Sequence, residues 1–157
     1  MREMRRQDRK LIDEETKRIL AEGEYGILAT VMENNVPYSV PISYAFDEGT
    51  NAIYMHCTVD GGQKIDNILA NPRVCFTVVS GTEMLPQKFA TRYYSANVFG
   101  EIEIVEETEA KKYGLYQLIK KYSPNYEEAG LKYIDAAVDK VFVLKLCIEE
   151  MSGKARK

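Results

Sequence analysis

The residues best suited to chemistry lie close together in HCTVDGGQK, residues 56–64. Here a strand-like run ends, a glycine pair turns the chain, and a helix begins with a lysine. Glycines let successive backbone amides converge, and a helix N-terminus adds unpaired N–H groups with a partial positive charge. Lys64 supplies a full charge, so the segment reads as a cradle for a phosphate monoester. A glycine turn followed by a merely solvated lysine would satisfy the same letters. His56, the chain's only histidine, sits at the strand end beside this cradle. It shares a face with Tyr54, opposite Ile53, Met55 and Cys57. There it could donate to a carboxylate or nitro oxygen or carry a proton; a packing role is the alternative.

A second stretch, VPYSVPISYA at 36–45, has an unusual pattern. Tyr38, Val40, Ile42 and Tyr44 alternate as in a half-buried strand, while Pro37, Ser39, Pro41, Ser43 and Ala45 form a face of small side chains. Each proline also removes a ladder donor. Such a face lets a flat molecule approach the backbone. An extended chain can match the N–H and two carbonyl oxygens of a flavin's pyrimidine edge. The competing reading is an edge strand protected by its prolines.

Other chemistries find no support. No Ser-His-Asp order, nucleophile elbow, P-loop or strand-linked G-x-G-x-x-G occurs. The glutamates of EIEIVEETE, residues 101–109, read as a solvated strand edge and a helix start. Cys57, Cys75 and Cys147 are odd in number and lack C-x-x-C spacing. They are expected to be buried small hydrophobes in a reducing compartment, and one histidine leaves little for a zinc site. A redox role would therefore need a cofactor.

The elements that must hold these residues follow from periodicity. Asp13 is expected to cap a helix with Ile12, Thr16, Ile19 and Leu20 on one face and Gly23 past its end. Strands are expected over 25–32, 36–45 and 51–57, as an antiparallel meander. KIDNILA should form a short helix with Ile65, Ile68 and Leu69 inward, stopped by Asn71-Pro72. A strand at 73–80, a loop at 81–90 and a long strand at 91–105, bent near Gly100, come next. Helices are expected at 107–122 and 127–138, the second with Leu131, Ile134 and Val138 inward. A strand at 141–151 then leads to a basic tail. Strands without βα alternation point to a small antiparallel barrel.

With 157 residues, 45% of them apolar and 29% charged, a single soluble domain spanning 1–157 is expected. Residues 1–10 carry +3, and Lys154, Arg156 and Lys157 add +3; with a net charge of −3, the intervening body carries about −9. That acidic body argues against a nucleic-acid partner. The absence of a long apolar run argues against a membrane, leaving a cytoplasmic protein as the expectation.

MRRQDR, GEYGILAT, VPYSVPISYAF, IYMHCTVDGGQKIDNILANPRVCF, YYSANVFGEIEIV and MSGKAR occur in that order. From Met4 to Arg156 the chain resembles the Nim-type 5-nitroimidazole resistance proteins, within the pyridoxamine 5'-phosphate oxidase-like group of FMN-binding split β-barrels. The resemblance implies a mainly β fold with peripheral helices, a six-stranded antiparallel split barrel. It also implies a homodimer with flavin at the subunit interface, and FMN as cofactor ahead of FAD or haem. Ser39, Val40, Pro41, Ile42, Ser43 and Tyr44 would lie along the flavin. Cys57, Thr58, Gln63 and Lys64 match the phosphate-binding segment, and Ser95 a position facing the ring system. His56 matches a histidine assigned to act on substrate. Two departures stand out: the C-terminus lacks the oxidases' substrate-binding histidine, and Gln63 replaces a phosphate-binding arginine. The implied function is an FMN-dependent reductase taking electrons from NAD(P)H to a small acceptor such as a nitro compound. The alternatives are a non-catalytic flavin or haem carrier and a pyridoxamine 5'-phosphate oxidase.

Overall fold

Alternation along GILATV, VCFTVV and SANVF sends every second side chain to one side of the backbone. The computed structural model describes residues 3–157, and Met1 and Arg2 of the basic N-terminal arm lie outside them. The elements run β1 (Lys10–Leu11), α1 (Asp13–Glu22), β2 (Gly26–Val31), β3 (Pro37–Ile42), β4 (Ala45–Asp47) and β5 (Ala52–Thr58). Then come α2 (Gln63–Ala70), β6 (Arg73–Leu85), β7 (Ala90–Val105), α3 (Thr108–Tyr122), α4 (Glu127–Ala137) and β8 (Val141–Arg156). Among the described residues, no helix is long and apolar enough to cross a membrane.

The strands form one eight-stranded sheet in the order β3-β2-β6-β7-β8-β5-β4, with β1 added along β8. Mainly β with peripheral helices is therefore right, but the expected six-stranded split barrel is not. Eight strands pair along an open path, and no ladder joins β3 to β4. Those two edge strands are separated in the chain only by Ser43 and Tyr44, which keeps the free edges near one another without hydrogen-bonding them.

One face holds the main core. The paired row Val40, Leu28, Phe76 and Val98 points inward, and α1 and α2 add Ile19, Leu20, Ile65 and Ile68. A second apolar cluster forms where α3 and α4 lay Leu115, Leu118 and Ile134 over Tyr54, Ala52 and Val143.

Several expectations need correction. Asp13 is the first helical residue rather than a side-chain cap, and Ile12, Leu69 and Leu131 are exposed. The meander ends at the β2–β3 hairpin, because β5 pairs with β8 and with the unforeseen β4. Residues 81–85 continue β6 instead of looping. The basic tail is the last part of β8, where Lys154 pairs with both Ser95 and Lys10. Cys57 and Cys75 are half-buried and Cys147 is exposed, so the cysteines are not uniformly core residues. Where the bend near Gly100 was expected, β7 runs on unbroken and its pairing with β8 shifts register between Phe99 and Gly100. Glu107 accepts hydrogen bonds from the Glu109 and Ala110 amides, so one of the clustered glutamates caps α3.

Lys121, near the end of α3, has a buried amino group with no hydrogen-bond acceptor among the described residues. Its Nζ instead lies 3.6 Å from the Tyr44 ring centroid. Burial lowers its pKa to about 8. Below pH 8 both folded and unfolded chains carry this proton, and the folded state bears the full desolvation cost. Between about pH 8 and 10.5 the unfolded chain binds more protons, so stability rises with pH across that window. Lys121→Met should raise stability at pH 7 by about 1 kcal/mol, since the lost ring contact offsets part of the relieved desolvation. The gain should vanish near pH 10.5. Urea midpoints of both proteins at pH 7 and 10.5 check this; an equal change at the two values would remove titration as the cause.

Candidate functional site

β5 carries the chain outward through His56, Cys57 and Thr58 before it turns. Gly61 donates its amide to the Thr58 carbonyl at 3.0 Å, and Gly61 and Gly62 take φ values of 73° and 111°. Only glycine enters such conformations readily. α2 then begins at Gln63 with no side-chain cap. The Gln63 and Lys64 amides therefore meet no acceptor among the described residues, as expected for a helix start. The space where a Gly62 Cβ would sit is open, with no atom within 4 Å. Unpaired amides, open space and a half-buried lysine make this segment fit a phosphate. Lys64 also lies close enough to Cys57 for its charge to oppose the upward push of burial on the thiol pKa.

Gln63 also lines a cavity of about 410 Å³ with Met32, Glu33, Asn34, Asp66 and Asn67. Glu33 and Asp66 make that cavity a poor anion site, which leaves the amides beside Gly62. A chain of polar side chains ties the helix start to the sheet. Gln63 Nε2 donates to Asn67 Oδ1 at 2.8 Å, and Asn67 Nδ2 donates to Thr30 Oγ1 at 2.8 Å. Thr30 Oγ1 in turn donates to the Tyr38 carbonyl at 3.4 Å.

Tyr38 lies on β3, the edge strand whose only ladder is with β2. An edge position tolerates both prolines, because one side of the strand has no ladder to complete. Ser39 and Pro41 are exposed, while Val40 and Ile42 pack against the core. The small face therefore lies outward beside a free edge. The strand stops at Ile42, and Ser43 is exposed in the link to β4.

Tyr44 lies elsewhere. Its side chain is fully buried, its hydroxyl donates to the Leu20 carbonyl at 2.6 Å, and its backbone N–H donates to Tyr122 Oη at 2.9 Å. Burial raises its phenol pKa. Both its side-chain and amide donors are thus engaged within the protein.

His56 pairs with Val143 and lies on the Tyr54 face, the side that α3 covers further along β5. The residue is exposed, yet neighbouring atoms desolvate its ring enough to lower its pKa from the usual value. At pH 7 it is therefore mainly neutral, a hydrogen-bond donor and acceptor more than a ready acid. Cys57 turns toward the core and Thr58 is exposed.

Ser95 is distant from this group within one chain. It pairs with Val79 and Lys154, and Ser39 is reached only through Ala29, Cys75 and Phe99, then four residues along β7. Strand spacing and rise put the separation at roughly 20 Å along the sheet. Gln63 and Lys64 are thus linked to β3 and Cys57, whereas Tyr44 belongs to the core and Ser95 to another part of the outer surface. Asn67 and Thr30 escaped sequence reasoning. Their signals were a polar residue four positions after Gln63 on one helix face, and a threonine at the inward parity of Gly26 and Leu28.

A family model described as pyridoxamine 5'-phosphate oxidase matches residues 13–155. A search of curated proteins finds no match. Among solved structures, a Bacteroides thetaiotaomicron protein provisionally described as a 5-nitroimidazole antibiotic resistance protein is 24% identical. Its TM-score is 0.78, covering 93% of this chain and 86% of that one. A flavocytochrome from Azotobacter vinelandii is 22% identical with a TM-score of 0.78, covering 99% and 72% of the two chains. An FAD-binding protein from Mesorhizobium loti is 23% identical with a TM-score of 0.67, covering 95% and 98%. At these identities the likeness establishes the fold.

Proposed function

The chain belongs to the pyridoxamine 5'-phosphate oxidase family, and from that premise we propose that it binds FMN and acts as an oxidoreductase. Its electrons come from a reduced nicotinamide and pass to a small acceptor such as a nitro compound. The observation that carries the flavin reading is the uncapped start of α2, where the Gln63 and Lys64 amides and the Lys64 charge converge beside Gly62. The flavin-binding and nitroimidazole-resistance descriptions of the fold neighbours support the same reading.

A bound flavin would supply the hydride and electron transfer that the side chains lack. Lys64 and the adjoining amides hold the phosphate, with Gln63 and the exposed Thr58 beside it and Cys57 behind. Ser39, Val40, Pro41, Ile42 and Ser43 offer backbone groups at the free edge of β3. The protein acts as a homodimer with flavin at the subunit interface, and the partner brings Ser95 to the ring, which the separation within one chain otherwise prevents. His56 orients the acceptor by donating a hydrogen bond to a carboxylate or nitro oxygen.

Protein purified without added cofactor should absorb near 370 and 450 nm, as oxidised flavin does, and release FMN on denaturation. A Soret band would instead favour haem, and a colourless preparation that refuses FMN would end the flavin reading. His56→Ala should lower turnover by about 100-fold, the lower end for a positioned acid or base, with flavin still bound. Turnover should stay level from about pH 7.5 to 8.5, since burial lowers the His56 pKa from its ordinary value and the ring is neutral throughout that range. Parallel loss of flavin and activity would make His56 a supporting residue instead.

A further inference from the structure

We infer that the buried chain Thr30–Asn67 sets the donor polarity of Gln63 and thereby the preference of the cradle for a phosphate-bearing flavin. The inference rests on the proposal that the cradle binds the FMN phosphate. Its basis is a hydrogen-bond chain with a direction favoured at one end. A carboxamide can turn over and a hydroxyl can rotate, so Gln63, Asn67 and Thr30 have no direction of their own. The Tyr38 carbonyl has one, because it can only accept. Thr30 donates to it at 3.4 Å, which leaves the Thr30 oxygen to accept from Asn67 Nδ2. Asn67 Oδ1 is then the end that faces α2, and it accepts from Gln63 Nε2.

Burial holds this order in place. Asn67 and Thr30 are each 2% exposed, so water cannot replace a lost partner at low cost. With one amide hydrogen committed to Asn67, Gln63 keeps its second N–H for an acceptor outside the chain. On this inference that N–H goes to an anion at the unpaired Gln63 and Lys64 backbone amides, rather than to the Glu33 and Asp66 carboxylates of the neighbouring cavity. A reversed amide would offer Oε1 instead and repel a phosphate. Thr30 and Asn67 are positioning residues: they act through Gln63 and touch no ligand. Because the chain ends on β3, it also couples the phosphate cradle to the strand proposed to carry the ring.

Thr30→Val keeps the side-chain shape and removes the hydroxyl, freeing Asn67 to turn over. Thr30→Ser keeps the hydroxyl. Equilibrium dissociation constants for FMN and for riboflavin, which lacks the phosphate, separate positioning from simple support. Wild type should prefer FMN. Thr30→Val should lose about 10-fold or more of that preference, the lower end for one hydrogen bond to a charged group. Its riboflavin affinity should stay within about twofold, and Thr30→Ser should retain the wild-type ratio. Equal weakening of both ligands in Thr30→Val, or an unchanged ratio, would overturn the inference while leaving FMN binding intact. Should Thr30→Val fail to fold, Asn67→Leu gives the second reading. It removes the acceptor that holds Gln63 Nε2 and leaves that carboxamide free to turn over, so its FMN preference should fall too, and an unchanged ratio would sink the idea. Wild type with no preference for FMN would instead overturn the phosphate assignment and this inference with it.

Discussion

Gly100→Ala should destabilise the protein by about 3 kcal/mol or more, a fall in Tm of roughly 6–12 °C for a chain of this size. An added Cβ would lie 1.9 Å from the Cys147 carbonyl oxygen and 3.2 Å from Leu146 Cδ1. The obstacle is backbone in a central strand, so no side-chain rotation relieves it. Phe99 pairs with Glu150 and Gly100 with Ile148, which leaves Glu149 as the extra residue of a bulge. The extra residue lies on β8, so the irregularity kinks that strand beside Gly100. Gly49→Ala is the control: its nearest atom would be an Asp47 carboxylate oxygen at 3.4 Å, and a change within about 0.5 kcal/mol is expected at that surface turn. Thermal and urea denaturation of both variants decide the matter. A loss below about 1 kcal/mol at Gly100 would mean that β7 and β8 are further apart than described.

The parts of this fold legible in the sequence are those fixed by neighbours along the chain. Alternation in PYSVPI correctly separated outward Ser39 and Pro41 from inward Val40 and Ile42. The Gly-Gly pair before an amphipathic segment correctly marked a turn followed by α2, and both glycines take positive φ there. The parts missed depend on distant pairing. MSGKAR has weak strand propensity, yet residues 151–156 form a strand because β7 lies on one side and β1 on part of the other. Residues 81–85 extend because Ala90–Arg92 return beside them. Strand count and closure follow from such pairings; the six-stranded barrel was what the family resemblance implied, and the pairings form an open eight-stranded sheet instead.

The candidate site divides along the same line. Local pattern singled out Gln63 and Lys64, which lie at the start of α2, and the small residues of β3, which face outward. It also included Tyr44, whose parity is right but whose side chain leaves the strand and enters the core under Lys121. Asn67 and Thr30 sit 37 residues apart and meet only through the packing of α2 on β2. No pattern within either segment announces that contact.

Lys64→Ala should weaken FMN binding by about 1.5–3 kcal/mol, roughly 10–150-fold in Kd, as expected for a charge-assisted hydrogen bond. Riboflavin affinity should barely change, and Lys64→Arg should recover most of the loss. Added salt should narrow the gap between wild type and variant, because Lys64 is only half-buried and its field is partly screened. A second readout needs no flavin. Burial raises the Cys57 thiol pKa and the Lys64 charge lowers it, so Lys64→Ala should move the thiol pKa further up. The pH dependence of Cys57 alkylation in flavin-free protein, measured in a background lacking Cys75 and Cys147, reports that shift. The two results together locate the lysine and define its role. A raised thiol pKa with weakened FMN binding is the expected pair. A raised thiol pKa with unchanged FMN affinity would leave Lys64 beside Cys57 but remove it from the phosphate. The uncapped amides of α2 would then have to hold the anion alone, and affinity would depend on Gly62 more than on any charge.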